Sequence, residues 1–277
     1  MTEKLFREQA NTNYSKKDWA RACQFYDKYF STAYPQDDEE EKDFSLDDCK
    51  LFLNYADALI NLCRENKGKS DEVHDDLESA ATYLLSARAK FETIPEGERP
   101  WEQLVDTYEL LGHISLMNGS YKAALDEFSK GYSIAKEQHL SWNQVLSLLF
   151  NQVIALESQE KPKRALQVLQ QCIEFIDNEM KGGEQDNEEK KTKLSGFRND
   201  FLEKIQQLNE DIEEQEQNKD QLKEEEEDDE EEEEDDEEEE DDGEEEEEDG
   251  DNEQEEKNGD NAQEENGNTN VQEEGKE

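Results

Sequence analysis

The side chains that offer chemistry in this sequence are mainly carboxylates. The chain has 80 acidic residues against 30 lysines and arginines, which gives a formal net charge of −50. Carboxylates at this density pair with cationic groups and repel nucleic acid and anionic membranes. Two sets are candidates for binding: Asp57, Asp106 and Glu109 in helical segments, and a run that opens with Glu224, Glu225, Glu226, Glu227, Asp228, Asp229 and Glu230.

The sequence offers no catalytic or metal-binding constellation. Its histidines, His74, His113 and His139, lie far apart and have no cysteine or serine partner at a suggestive spacing. There is no phosphate-binding glycine-rich loop, no HExxH motif and no CxxC pair. The four cysteines fit small buried hydrophobes in a reducing compartment. We therefore expect a non-enzymatic protein with no cofactor and no bound metal.

A helical hairpin between Tyr108 and Tyr132 supplies the framework for these carboxylates. Large and small residues recur in register on its two helices, and the pattern breaks at 118–120 as it does at a turn. Gly112 and Ala124 allow the two backbones to approach closely. This register is typical of a tetratricopeptide repeat (TPR), and no segment shows the alternation of a β-strand. We predict an all-α TPR solenoid of about four units.

The same register recurs through residues 4–182, which we predict to be the repeat domain. The expected limits are 4–34, 44–94, 101–138 and 142–181 for the repeats, 65–76 for an insert in the second repeat, 194–222 for a capping helix and 224–277 for an acidic tail. The apolar stripe at 197–212 fits either a cap on the array or a dimerising coiled coil. The tail holds 35 acidic and 2 basic residues, a net charge of −33. Such a segment cannot bury a core, so we expect it to be disordered.

Several stretches resemble the histone chaperones related to nuclear autoantigenic sperm protein. The similarity is carried by Leu111–Gly112, by residues 119–130 and 164–180, and by Phe52–Arg64 as the first half of an interrupted second repeat. It covers about residues 4–215. In that family the acidic tract is usually the insert within the second repeat, whereas here the insert is short and mixed and the acidity lies at the C-terminus. The resemblance implies a histone chaperone with TPR repeats and an acidic segment.

The resemblance also implies binding residues. The last repeat of that family offers an acidic and an aromatic residue to histone H3, and the matching positions here are Ser147 and Phe150. The carboxylate is therefore missing, and Asp106 and Glu109 of the third repeat stand at equivalent places. The side chains expected by register to line the inner groove are Asn11, Asp57, Asp106, Glu109, His113 and Phe150. We expect the acids to pair with arginine or lysine and Phe150 to anchor an apolar group.

These expectations combine into a histone chaperone that binds H3–H4, with linker histone as a further ligand, for histone escort and nucleosome assembly. Two alternatives stay open: a chaperone for other basic cargo such as ribosomal proteins, and a co-chaperone that binds C-terminal peptides of Hsp70 or Hsp90. Arg7 and Asn11 are the residues that favour the latter. We expect no direct contact with nucleic acid, and no apolar run approaches the length needed to span a membrane. Histone binding predicts nuclear residence with a cytoplasmic pool.

Overall fold

The computed structural model describes residues 2–34, 44–65, 71–182 and 188–236, and within these ranges it contains helices and no strand. The all-α prediction is therefore confirmed. A short 3₁₀ helix, Glu96–Glu98, lies between the fourth and fifth α-helices. The α-helices are α1 Glu3–Ser15, α2 Trp19–Ala33, α3 Leu46–Glu65, α4 Asp71–Thr93, α5 Trp101–Met117, α6 Tyr121–Glu137, α7 Trp142–Glu157, α8 Pro162–Gly182 and α9 Glu188–Asp236.

Consecutive helices pair as hairpins. The chain divides into two compact units, Met1–Leu222 and Lys223–Glu277. In the first unit α1 packs on α2, α3 on α4, α5 on α6 and α7 on α8. Helix α3 also packs against α5, so the first helices of neighbouring repeats lie side by side. This is the arrangement of a helical-repeat solenoid, as the TPR register predicts.

The hairpin of α5 and α6 depends on small residues. A Cβ atom on Gly112 would lie 2.4 Å from Cε1 of Phe128, and the Phe128 ring is fully buried. A Cβ atom on Gly131 would lie 3.1 Å from Cδ2 of Leu148, in the next helix. Gly112 therefore sets the distance between the two helices of the hairpin, as the sequence pattern predicts.

The described tight turns of the first, third and fourth hairpins share a left-handed residue two positions before the second helix. In the third hairpin this residue is Gly119, with a φ of +71°, which glycine adopts without steric cost. The corresponding residues of the first and fourth hairpins are Lys17 and Glu160, with φ values of 58° and 55°. A side chain in this conformation costs about 1–2 kcal/mol, so the packed helices force these two turns.

The predicted insert of the second repeat is shorter in the structure. Helix α3 ends at Glu65 and α4 begins at Asp71, so 71–76 is helical although the sequence analysis places it in an insert at 65–76. Residues 71–76 include no glycine or proline, the residues that most disfavour a helix. The intervening residues 66–70 lie outside the described part of the chain.

Helix α9 extends beyond the predicted capping helix of 194–222 at both ends, from Glu188 to Asp236. The structure therefore corrects the expected start of the disordered tail, because 224–236 is helical. Glutamate has a high helix propensity, which outweighs the repulsion between like charges over 224–236. Residues 237–277 of the predicted tail lie outside the described residues.

The N-terminal part of α9 covers the last repeat. Leu194 is fully buried, and Phe201 and Leu208 are each 5% exposed. All three belong to the apolar cluster formed with residues of α7 and α8. The guanidinium Nε of Arg198 also lies 2.8 Å from a carboxylate oxygen of Asp177 in α8. Phe201 and Leu208 of the apolar stripe are therefore buried within the chain, which agrees with the packing of a cap on a repeat array.

The cysteines lie in this helical core. All four are buried and none forms a disulfide, and burial raises the pKa of Cys172 to about 12. A thiol that stays protonated is a weak nucleophile and a poor metal ligand.

Among the described residues, no helix combines the length and apolar character needed to cross a bilayer.

Candidate functional site

Four of the sequence-predicted site residues meet in one slot between α3 and α5. Asp57 lies on α3, while Asp106, Glu109 and His113 follow one face of α5 at spacings of three and four residues. The slot contains a cavity of about 560 Å³, which we call the acidic slot. It is lined by Tyr14, Lys50, Leu53, Asn54, Asp57, Ile60, Arg64, Gln103, Asp106, Glu109, Leu110 and His113.

Neutral donors hold the Asp57 carboxylate on the α3 side of the slot. The hydroxyl of Tyr14, on α1, donates a hydrogen bond of 2.7 Å to Oδ2 of Asp57. Nδ2 of Asn61, one turn further along α3, donates to Oδ1 over 3.0 Å. Burial, reinforced by Asp57, raises the pKa of Tyr14 far above its ordinary value, so the phenol remains a donor. A carboxylate has about four acceptor positions, and these two bonds leave room for a ligand.

Helix α7 supplies the donors for the carboxylates on α5. Nε2 of Gln144 donates to Oδ1 of Asp106 over 2.9 Å. The hydroxyl of Ser147 donates to Oε1 of Glu109 over 2.5 Å, and Nδ2 of Asn151 donates to the same oxygen over 2.9 Å. These contacts fix the orientation of both acids, join the third repeat to the fourth, and add no positive charge to the slot.

The environment of the slot disfavours the charged forms of Asp106 and Glu109. Burial raises the pKa of Asp106, and the neighbouring carboxylates of Glu102 and Asp57 raise it further, while the Gln144 hydrogen bond opposes them. Burial also raises the pKa of Glu109, against its hydrogen bonds from α7. A cation that enters the slot reverses this penalty because it stabilises the ionised carboxylates. The arrangement therefore favours a positively charged ligand.

His113 is neutral in this setting. Burial, together with the nearby Arg64 guanidinium, lowers the pKa of His113 to about 4. Nη2 of Arg64 lies 3.2 Å from Nδ1 of His113, and arginine can only donate. We therefore assign the proton of the imidazole to Nε2, which lies 4.0 Å from Oε1 of Glu109. The neutral imidazole contributes no charge to the slot at neutral pH.

Phe150 lies outside the acidic slot. It is 36% exposed and stacks on Phe201 of α9, with ring centroids 5.3 Å apart and an interplanar angle of 24°. Together with Phe197 it lines a mainly apolar pocket of about 400 Å³ between α7 and α9. Ser147 lines this apolar pocket as well as bonding to Glu109. The two surfaces are thus neighbours, joined through α7.

Sequence reasoning missed the residues that hold the acids in place. Tyr14, Gln144 and Asn151 are neutral, and none has an unusual sequence context. The signal for the last two is their register, since Gln144, Ser147 and Asn151 repeat the spacing of Asp106, Glu109 and His113 one repeat earlier. Side chains at equivalent positions of adjacent first helices face one another in a repeat array.

The residues that favour a carboxylate clamp are engaged elsewhere. A guanidinium nitrogen of Arg7 lies 3.6 Å from a carboxylate oxygen of Asp47, and Oδ1 of Asn11 accepts a hydrogen bond of 3.0 Å from the hydroxyl of Tyr26. Neither residue lines the acidic slot, and the acids there repel a C-terminal carboxylate. The residues that suggested the Hsp70 or Hsp90 alternative thus lie outside the acidic slot.

The second set of predicted binding residues lies apart from the slot in the sequence. Residues 224–230 fall within α9 and within the second compact unit, Lys223–Glu277. Their predicted role in binding stays a prediction. Among the described residues, no group of three or more histidine, cysteine, aspartate or glutamate side chains is arranged to hold a metal ion.

Comparison with known proteins gives structural matches only. No protein-family model matches the sequence, and no curated protein sequence matches it. The yeast histone chaperone Hif1, a scaffold protein recruiting protein complexes to core histones, has 16% sequence identity and a TM-score of 0.55, and the match covers 75% of this chain and 95% of that one. The apo form of RapI has 15% identity and a TM-score of 0.51, with 75% of this chain and 65% of that one covered.

A third match is aspartyl phosphate phosphatase F from Bacillus subtilis, with 14% identity, a TM-score of 0.46 and coverage of 61% of this chain and 39% of that one. The chain thus spans less than two thirds of the length of RapI and of this phosphatase. Such low identities show the fold alone. The two matches with TM-scores above 0.5 agree with the helical-repeat solenoid.

Proposed function

We propose that this protein is a histone chaperone that binds H3–H4, and linker histone as a further ligand, for histone escort and nucleosome assembly. The observation that carries the proposal is the acidic slot. Three carboxylates, those of Asp57, Asp106 and Glu109, share a cavity of about 560 Å³. Their hydrogen-bond donors are the neutral side chains Tyr14, Asn61, Gln144, Ser147 and Asn151.

A basic side chain forms stronger hydrogen bonds with the carboxylates of this slot than water does. Charge-assisted hydrogen bonds between guanidinium or ammonium groups and carboxylates are about twice as strong as neutral ones. The carboxylates are already oriented by their donors, so little conformational entropy is lost when a ligand binds. The neighbouring apolar pocket at Phe150 offers a second contact for the same ligand. Arginine-rich and lysine-rich histones have the matching chemistry.

The acidic tail has a different role in the proposal. Its net charge of −33 over 224–277 attracts basic proteins over a distance and speeds their encounter. The tail also covers the basic surface of the bound histone that lies outside the slot, and thereby keeps the histone from contacting DNA. Exposed charges are screened by salt, whereas partly buried pairs are screened much less. Binding by the tail should therefore weaken steeply with salt, and binding by the slot should weaken less.

The fold match is consistent with this function. The yeast protein Hif1 is a histone chaperone, and the match covers 95% of its chain. A relation to the nuclear autoantigenic sperm protein family, nuclear residence and a cytoplasmic pool are parts of the same proposal. They rest on the sequence resemblance and on the histone ligand.

The test compares two double variants of the full chain. Asp57→Asn with Asp106→Asn neutralises two acids of the slot, and the amide oxygen of each asparagine can still accept a hydrogen bond. Glu96→Gln with Glu98→Gln removes the same charge from the exposed 3₁₀ helix. We expect the slot variant to bind H3–H4 at least about tenfold more weakly at 0.15 M salt, because each hydrogen bond to a charged group contributes about 1.5–3 kcal/mol. The control should bind like the wild type.

Two results would overturn the proposal. One is a wild-type chain that fails to bind H3–H4 at about 0.15 M salt, and the other is equal binding by the two double variants. Competition with a basic ribosomal protein separates general basic cargo from histones. If that protein displaces H3–H4 at equal concentration, the slot is a site for basic cargo in general.

A further inference from the structure

The acidic slot carries positive charge at both of its ends. Lys50, Asp57 and Arg64 all line it, and they follow α3 at intervals of seven residues, about two helical turns. With a rise of about 1.5 Å per residue, Lys50 and Arg64 stand about 21 Å apart, with Asp57 in the middle. The charge order along the slot is thus positive, negative, positive.

The neighbours of Lys50, Asp57 and Arg64 preserve the positive, negative, positive order of charges along the slot. Asp106 and Glu109 of α5 add two carboxylates to the centre of the slot. At one end Arg64 faces His113 over 3.2 Å, and His113 is neutral at pH 7. At the other end Lys50 lies 3.8 Å from Asp47, but both side chains are more than half exposed, so that pair is weak. Both end cations are therefore available to an anionic group.

The elongated shape of the slot allows one bound segment to contact the acidic centre and both basic ends. Its lining follows α3 from Lys50 to Arg64 and α5 from Gln103 to His113, so a bound segment lies along these helices. An extended chain advances about 3.3 Å per residue. Three residues therefore cover the distance of about 10 Å between the acidic centre and either end of the slot.

We infer that the acidic slot selects a mixed-charge segment, in which one or two central basic residues are flanked about three positions away on each side by an acidic residue. This inference rests on the proposed function and specifies which part of a basic protein enters the slot. A continuous polybasic run places like charges against Lys50 and Arg64 and is disfavoured. Polybasic runs bind instead to the acidic tail, because attraction to the tail does not depend on the order of charges in the ligand.

Two peptides of identical composition test the inference. The first is Glu-Ala-Gly-Arg-Arg-Gly-Ala-Glu, and the second exchanges its charges to give Arg-Ala-Gly-Glu-Glu-Gly-Ala-Arg, both with blocked ends. Their net charges are equal, so attraction to the tail is the same for both. Fluorescence anisotropy with the full chain at about 0.05 M salt should show about three- to tenfold tighter binding of the first peptide, as expected from two exposed ion pairs.

A charge-reversal variant identifies the source of this preference. In Lys50→Glu with Arg64→Glu the preference should disappear or reverse. The matched control is Lys130→Glu with Lys136→Glu, which makes the same charge change on exposed positions of α6 and should keep it. Both replaced pairs lie at the surface, and an unchanged helical circular dichroism spectrum verifies that each variant is folded.

The inference is overturned if the two peptides bind equally, if neither binds, or if the preference survives the reversal of Lys50 and Arg64. The test of the proposed function stays separate. If neutralising Asp57 and Asp106 weakens H3–H4 binding while the peptides bind equally, only the charge-order rule fails. If that neutralisation leaves H3–H4 binding unchanged, the histone site itself is wrong.

Discussion

Replacing Gly112 with alanine tests the close packing that positions the acidic slot. The new Cβ would lie 2.4–2.7 Å from three atoms of the Phe128 ring, which is fully buried and has no free space to enter. Alanine favours a helix by about 1 kcal/mol over glycine. Overpacking of a dense core typically costs 1–3 kcal/mol, and contacts this short place the cost near the upper end. We expect a net loss of about 2 kcal/mol in the free energy of unfolding.

Two other glycines provide a graded series of controls. A Cβ on Gly131 would meet Leu148 at 3.1 Å and Tyr108 at 3.2 Å, contacts that small shifts can relieve, so its alanine variant should be nearly neutral. A Cβ on Gly196 in α9 has no neighbour within 4 Å. Its alanine variant should therefore be stabilised by about 0.5–1 kcal/mol through helix propensity alone.

Urea unfolding measures this series. Tryptophan fluorescence reports on the repeats, because Trp101 begins α5 and Trp142 begins α7. A double variant, Gly112→Ala with Phe128→Leu, adds a direct check, since a smaller side chain makes room for the methyl group. It should lose less stability than the sum of the two single variants. A Gly112→Ala protein with a midpoint at or above that of the wild type would refute the packing argument.

Two further predictions concern the acids and the histidine of the slot. The pKa of His113 is about 4 in the folded protein, against an ordinary value of 6.5. The unfolded chain therefore binds a proton at His113 more readily than the folded chain does. As the pH falls from 6.5 to 4, this difference lowers the free energy of unfolding by about 3 kcal/mol. His113→Gln should show a smaller fall between pH 7 and pH 4.5 in urea midpoints, and an unchanged fall contradicts the assignment. Burial raises the pKa of Glu109, so its charge destabilises the fold increasingly as the pH rises through the folded-state pKa. Glu109→Gln keeps an acceptor for the donors of α7 and should be at least as stable as the wild type at pH 7 but bind H3–H4 more weakly, whereas unchanged binding excludes Glu109 from the site.

The helical hairpins could be predicted because their information is local. Tyr108, Gly112, Ala124 and Phe128 recur at helical spacings that permit only one face to be buried. The same register places Asp106, Glu109 and His113 on one face of α5, so their meeting with Asp57 follows once neighbouring first helices are laid side by side. Helix limits were less predictable, because propensity and like-charge repulsion compete over the start of α4 and the end of α9.

The arrangement around Phe150 could not be predicted from the same register. The register predicts that Phe150 lines the inner groove, yet it lines the pocket between α7 and α9, and Phe201 covers part of its ring. Within the described residues, α9 packs on the fourth hairpin, where the first helix of a further repeat would otherwise lie. The packing position of a cap depends on long-range contacts such as the one between Arg198 and Asp177. The spacing of residues along the sequence does not predict such contacts.

The neutral donors of α7 explain how a stable fold can keep an acidic slot. Lysine or arginine in place of Gln144 or Ser147 would satisfy the acids of α5 with a full charge, and would stabilise the repeat at the expense of its affinity for a basic ligand. The hydrogen bonds that are present orient Asp106 and Glu109 but leave the penalty of burying their charge uncompensated. A cationic ligand removes that penalty on binding. The proposed selectivity of the slot for positive charge therefore depends on the absence of a charged donor at Gln144, Ser147 and Asn151 of α7.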